Sequence, residues 1–187
     1  MINFFWRWFA KLLAHPTIAA WIIDFAQRTP YQHIMSKDGN EMYMGRWWLF
    51  NPYDRETHKP KHRWFPWSLR IHHIMVPDSD RDLHDHPWNA RTVILFGGYT
   101  EQRLLDHEDP ALRGLNVPHG AQATEYIDRN PGDTTTLKHG EYHRIDRLLD
   151  TDTGAFTLFI TSNWQGEWGF LVNGVKVHWK KYTGEES

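Results

Sequence analysis

LHDHPWNARTVILFGGY, Leu83 to Tyr99, is the stretch from which the rest of the chain is read. On an extended strand, residues two apart project to one face, so His84 and His86 point together while Asp85 points away. After Pro87, the apolar run Thr92 to Phe96 reads as a strand, and Gly97-Gly98 fits a tight turn in which glycine supplies positive φ. Two imidazoles on one face are half of a metal site if a third can be brought to them. Failing that, they are surface residues of a loop before a proline.

Outward from this stretch, the chain after Pro30 is a series of short apolar or alternating runs punctuated by Gly, Pro, Asp and Asn, the pattern of an all-β domain. Strands are predicted over 43–49, 68–76, 92–96, 99–105, 123–127, 134–138, 143–148, 156–161, 168–172 and 176–179, a set that suits a sandwich or barrel. Loops are expected over 51–66, 77–83 and 106–120. Residues 1–35 form a helical extension packing on the barrel, 36–182 the β domain, and 183–187 a frayed tail.

With 187 residues the chain fits one domain of ordinary size. Its 21 basic and 23 acidic residues carry no nucleic-acid footprint. The absence of cysteine excludes disulfides, thiolate metal sites and a cysteine nucleophile, so any metal must be held by His, Asp or Glu. The amino end, MINFFWRWFAKLLAHPTIAAWIIDFAQRTPY, is aromatic but carries Arg7, Lys11 and Asp24 and is broken at Pro16, so it lacks the ~20 uninterrupted apolar residues of a membrane span. It also lacks the layout of a signal peptide, and the expected compartment is the cytoplasm. Two short helices that cover a sheet or form a homodimer contact are expected there, with peripheral contact at a membrane interface as the alternative.

A second stretch, NPGDTTTLKHGEYHRIDR, supplies the third imidazole: Gly132 leads after five residues to Lys138-His139-Gly140, and after two more to His143. This resembles the second motif of the cupin family, G(X)5PXG(X)2H(X)3N, with Lys138 in place of proline and Arg147 in place of asparagine. The first stretch resembles the other cupin motif, G(X)5HXH(X)3,4E(X)6G, with His84 and His86 as the HXH, Arg91 where glutamate is usual, Gly98 as the closing glycine and Asp78 where it opens. The resemblance implies a double-stranded β-helix (jelly-roll barrel) and a metal on His84, His86 and His143. Imidazole donors suit Fe, Zn, Cu and Ni, and Mn is also used in such sites; Fe(II) is favoured.

Arginine cannot ligate a metal, so the departure at Arg91 leaves a three-histidine site. Cupins of that kind include thiol dioxygenases, in which an arginine holds a substrate carboxylate. Arg91 or Arg70 is the candidate for such a part, the alternative being that Arg91 faces solvent or pairs with Asp85 or Glu101. The missing cysteine forbids the cysteine-tyrosine crosslink of some of those enzymes. In SLRIHHIMV, residues 68–76, His73 rather than His72 is expected to line the cavity, because Leu69, Ile71 and Met75 share its apolar face. Tyr142 and Tyr99 are candidate phenol donors, His139 is expected to be exposed, and the many tryptophans are expected as core and rim.

The segments RTPYQHI, YMGRWWLFNPY, GGYTE, HRID and EWGF extend the resemblance to small, uncharacterised single-domain cupins of phage and bacterial genomes. The functional expectation is an oxygenase-like metalloenzyme acting on a small molecule, with His84, His86 and His143 as ligands and Arg91, Tyr142 and His73 as catalytic candidates. A non-catalytic ligand- or partner-binding cupin and a metal-dependent isomerase or lyase are the alternatives.

Overall fold

The computed structural model describes residues 2–36, 39, 42–105 and 123–185. Two helices, α1 (Ile2–Leu13) and α2 (Pro16–Ala26), precede eleven strands: β1 (Ile34–Met35), β2 (Met42–Phe50), β3 (Trp67–Ile74), β4 (Ala90–Phe96), β5 (Tyr99–Leu104), β6 (Thr124–Arg129), β7 (Thr134–Leu137), β8 (His143–Leu148), β9 (Ala155–Ser162), β10 (Gly169–Val172) and β11 (Val175–His178). A short α3 (Trp179–Thr183) follows. The 106–120 loop of the sequence reading lies outside the described residues.

All strand pairs are antiparallel. One sheet runs β1-β2-β3-β9-β4-β7 and another β6-β5-β8. His84 bridges both His143 at the start of β8 and Phe170 of β10, so the segment around it joins the β6-β5-β8 sheet to the β10-β11 hairpin. Two sheets thus face each other with central orders β3-β9-β4-β7 and His84-β8-β5-β6, the strand order of a jelly roll. Their shared interior includes Ile74, Ile94 and Ala155 from one sheet and Tyr99, Ile145 and Leu148 from the other. The chain crosses between sheets at Gly97-Gly98, where φ is +69° and +147°. A Cβ on Gly97 would lie 1.9 Å from the Gly154 carbonyl oxygen, so the crossing is close as well as left-handed.

The first sheet is apolar on its outer face. Ile71, Val93, Leu95 and Leu158 project outward and are covered by Ala10, Leu13, Ala19, Ile22 and Ala26 of the two helices. This explains why an amphipathic amino end belongs to a barrel: the helices bury a sheet face that would otherwise be wet. Their far side stays aromatic and exposed, with Phe4, Phe5, Trp8 and Trp21 all more than half accessible. No single described helix is long and apolar enough to cross a membrane, and α1 and α2 meet at a bend of 83°.

The strand pattern agrees closely with the sequence expectation, with two additions. The two-residue β1 is too short to leave a periodic signal. At the other end, Thr183 is the last residue of α3 rather than the start of a frayed tail, and Gly184 at φ +78° caps it.

Candidate metal centre

Backbone pairing brings the histidines together. The His84 N–H donates to the His143 carbonyl at 2.9 Å and the His143 N–H returns a bond to His84 at 3.0 Å, so the two side chains leave the sheet on the same face. His86 lies two residues on and joins them. Between the two, the fully buried Asp85 points the other way: it accepts the Gly169 N–H at 2.7 Å and the Lys176 ammonium at 2.6 Å, locking the segment to the β10-β11 hairpin. Each of the three imidazoles offers a nitrogen within 4.8 Å of the others. His86 Nε2 and His143 Nε2 stand 3.0 Å apart, the spacing of two neighbouring ligands that each sit about 2.1 Å from one ion.

Electrostatics suit lone-pair donors. Burial, then the neighbouring imidazoles and Arg70, holds His86 well below the usual imidazole range. Burial likewise lowers His84, against the opposing pull of Asp78. Both are therefore neutral at neutral pH. His143 is oriented by Glu101, whose Oε1 accepts from Nδ1 at 2.7 Å, turning Nε2 toward the other two rings. Burial would raise the Glu101 carboxyl, but the His143 hydrogen bond and the charges of Arg103 and Arg129 outweigh it and hold the group below the carboxylate range. Arg129 reaches Oε2 at 2.7–2.8 Å, and Arg103 makes a charge contact at 3.0 Å. Asp78 stands 4.0 Å from His84 Nδ1 and is itself fixed by the Ile145 N–H at 2.7 Å and by the Tyr43 hydroxyl.

Apolar rings close the surroundings. His86 stacks on Trp88 and approaches Phe159, while Trp168 and Phe170 flank His84. Arg70 and His72 project into the same interior from β3: His72 stacks on Phe159 at 4.7 Å, and the Arg70 guanidinium lies 5.0 Å from the Trp88 ring.

The structure places the other candidates elsewhere. Arg91 is on the outer face of β4, with its guanidinium 4.6 Å from the Trp6 ring of α1 and a hydrogen bond to Thr134 Oγ1 at 3.2 Å. It does not face the triad, and its contacts are neither Asp85 nor Glu101. His73 is also on the helix-covered side, stacked on Phe156 and bonded to the Thr153 carbonyl at 2.8 Å. The expectation took the apolar face of β3 for the cavity. That face is apolar because helices cover it, and the polar face, Arg70 and His72, lines the interior. Tyr142 lies next to His143 on the strand register, on the face shared with Asp85, opposite the triad; burial and the Asp85 charge push its phenol up to about 12. Tyr99 is buried in the core, and His139 is exposed. Sequence reasoning missed Glu101 as the partner of His143. The available signal was an acidic residue inside a predicted strand, where an unpaired charge would not be tolerated.

No protein-family model and no curated protein matches this sequence. Solved structures similar to it include a cupin-2 domain from Rhodospirillum rubrum, at 12% identity over 73% of this chain and 71% of that one, with a TM-score of 0.45. Another is oxalate decarboxylase from Bacillus subtilis at pH 4.6, at 10% identity over 87% of this chain and 33% of that one, with a TM-score of 0.49. A third is HppE in its FeII form, at 11% identity over 70% and 54%, with a TM-score of 0.44. The chain spans between 22% and 54% of the length of the first structures it matches. Identity this low transfers no residue roles; the double-stranded β-helix stands on the chain's own strand order, and the site on its own imidazoles.

Proposed function

We propose that this chain is a metal-binding protein of the cupin kind in which His84, His86 and His143 hold one divalent ion beside an interior that receives a small molecule. The leading activity is oxygenase-like, with Fe(II) the favoured ion and Zn, Ni and Mn suited to the same donors. The observation that carries this reading is the set of three half-buried imidazoles whose nitrogens lie within 4.8 Å of one another, two of them, His84 and His143, joined by backbone pairing. The donor set contains no carboxylate, so coordination positions remain for a ligand. A bound ion would supply Lewis acidity, and iron would add oxygen chemistry. The chain's own part is to hold its donors ready: Glu101 keeps the proton of His143 on Nδ1, Asp78 stands beside Nδ1 of His84, and Trp88, Phe159 and Phe170 exclude bulk water.

Oxygen uptake by the iron(II)-loaded protein, supplied with fractionated small-molecule extracts, tests the activity. Uptake that depends on one fraction and disappears in His86→Ala supports an oxygenase. A stoichiometrically loaded protein that consumes no oxygen with any fraction overturns that assignment in favour of ligand binding or isomerase or lyase chemistry.

A further inference from the structure

The helix layer over the first sheet is apolar on both of its sides. Toward the sheet, α1 turns Ala10 and Leu13. Away from it, Phe4, Trp8 and Leu12, spaced four apart, form with Phe5 one exposed arc of about 100°, and Phe4 is 78% accessible. Arg7 and Lys11, likewise four apart and exposed, border that arc, and α1 contains no acidic residue. On α2, the exposed Trp21 and Phe25 stack at 5.6 Å, and the guanidinium of Arg28, just past the helix end, lies 5.7 Å from the Phe25 ring. A helix apolar nearly all round needs cover on both sides, and the sheet covers only one.

The same sheet face continues past the helices. Trp67 stands two residues before Leu69 and four before Ile71 on β3, so it shares their helix-covered side, yet it is 50% exposed. Phe65 meets Trp67 edge-on at 5.5 Å, and Trp64, 77% accessible, meets Phe65 at 5.7 Å. Residues 57–67, which lead into this cluster, expose Lys59, Lys61 and Arg63 and contain no acid.

Two separate segments on one side of the barrel thus join exposed tryptophan and phenylalanine to cations, with Asp24 the one acid among residues 2–28 and 57–67, in a chain whose net charge is −2. A two-fold contact between copies pairs like surfaces, and would set Arg7 and Lys11 against their own copies with no acid on α1 to answer them. An anionic bilayer meets both halves of the pattern: its phosphates take the bordering cations and its interfacial zone takes the rings.

We propose that α1, α2 and the Trp64–Trp67 segment form a surface that lies on an anionic phospholipid bilayer without spanning it, the rings at headgroup depth and the cations among the phosphates. The β6-β5-β8 sheet then points away from the lipid, because it faces the first sheet from the side opposite the helices. The proposal is independent of the metal reading.

The test uses the full chain with vesicles of pure phosphatidylcholine and of phosphatidylcholine mixed with phosphatidylglycerol. Flotation measures binding, and a blue shift of tryptophan emission reports entry of the rings into the interface. The mixed vesicles are expected to bind at least about tenfold better than phosphatidylcholine alone, with the difference shrinking in high salt. Arg7→Gln combined with Lys11→Gln should lower binding to mixed vesicles at least about tenfold, at roughly fivefold per charge. Phe4→Ser combined with Trp8→Ser should lower it at least about tenfold, and Trp64→Ser about fivefold. All of these side chains are exposed, so far-ultraviolet circular dichroism and urea midpoints should stay at wild type. No flotation with mixed vesicles, equal flotation with both kinds, undiminished binding in the ring variants, or unfolding of the Phe4→Ser, Trp8→Ser protein overturns the proposal. Sedimentation velocity without lipid checks the other occupant: a dimer that Phe4→Ser with Trp8→Ser dissolves would assign the face to a second copy and overturn the bilayer.

Discussion

Replacing Glu101 by glutamine keeps the size of a side chain that is 1% exposed and removes its charge from beside His143, Arg103 and Arg129. Hydrogen bonds to a buried charged group are worth about 1.5–3 kcal/mol each, but Arg103 and Arg129 are 18% and 15% exposed and regain some hydration. The net expectation for Glu101→Gln is a loss of about 2 kcal/mol in the metal-free protein. Glu101→Ala, which leaves the Arg129 guanidinium and the His143 Nδ1 proton without their acceptor and Arg103 with only the Thr136 carbonyl at 2.7 Å, should lose about 3–5 kcal/mol. Because the carboxylate also fixes the direction of His143 Nε2, metal affinity should drop about 10- to 100-fold in Glu101→Gln. Urea unfolding followed by tryptophan fluorescence gives the first quantity, and competition with a chromophoric chelator for zinc gives the second. A Glu101→Gln protein within about 0.5 kcal/mol of wild type, with zinc affinity unchanged within about twofold, would refute the claim that this carboxylate orients the site.

Three further outcomes are expected. Burial, then the Arg70 and Arg46 charges, holds His72 neutral well below its ordinary 6.5, so below that pH the unfolded chain takes up a proton the folded one refuses. The stability this confers is complete above pH 6.5 and is lost on acidification toward the lowered folded value by up to about 1.4 kcal/mol per pH unit; urea midpoints at neutral and mildly acidic pH should show a shallower loss in His72→Gln, and equal slopes would disprove it. Arg91→Ala should cost only about 0.5–1 kcal/mol, coupled to Trp6 in a double-mutant cycle, with metal content unchanged; loss of metal would return Arg91 to the site. Gly97→Ala forces a Cβ to 1.9 Å from the Gly154 oxygen at φ +69°, so it should destabilise by about 3 kcal/mol in urea unfolding, and a neutral result would contradict the close sheet crossing.

Much of the fold was legible because the strands carry period-2 patterns bounded by glycine and proline. His143–Leu148 emerges with its predicted limits, and Gly97-Gly98 turns where glycine pairs should. The HXH spacing was legible for the same reason, since a period of two places His84 and His86 on one face without knowledge of the partner strand. Which face is interior was not legible. Period-2 alternation shows that Arg70 and His72 oppose Ile71 and His73, but the sequence of β3 does not say that helices cover one side. In most sheets the apolar face is the inside; here α1 and α2 reverse the assignment, and His73 went with it, whereas Arg91 was expected at the site from its place in the motif and lies on the same helix-covered side. Glu101 was hidden for another reason. Its role depends on the register that sets Glu101 against Ile145 on β8, and therefore near His143, a pairing across more than forty residues that no local pattern encodes.

Metal stoichiometry tests the central claim most directly. Protein purified without a histidine tag, loaded with iron(II) or zinc and then freed of excess ion, should carry about one ion per chain by elemental analysis, and His84→Ala, His86→Ala and His143→Ala should each lose most of it while keeping the wild-type far-ultraviolet circular dichroism. Folded wild-type protein that retains no ion, or triad variants that retain as much as wild type, would contradict a metal centre on these three histidines.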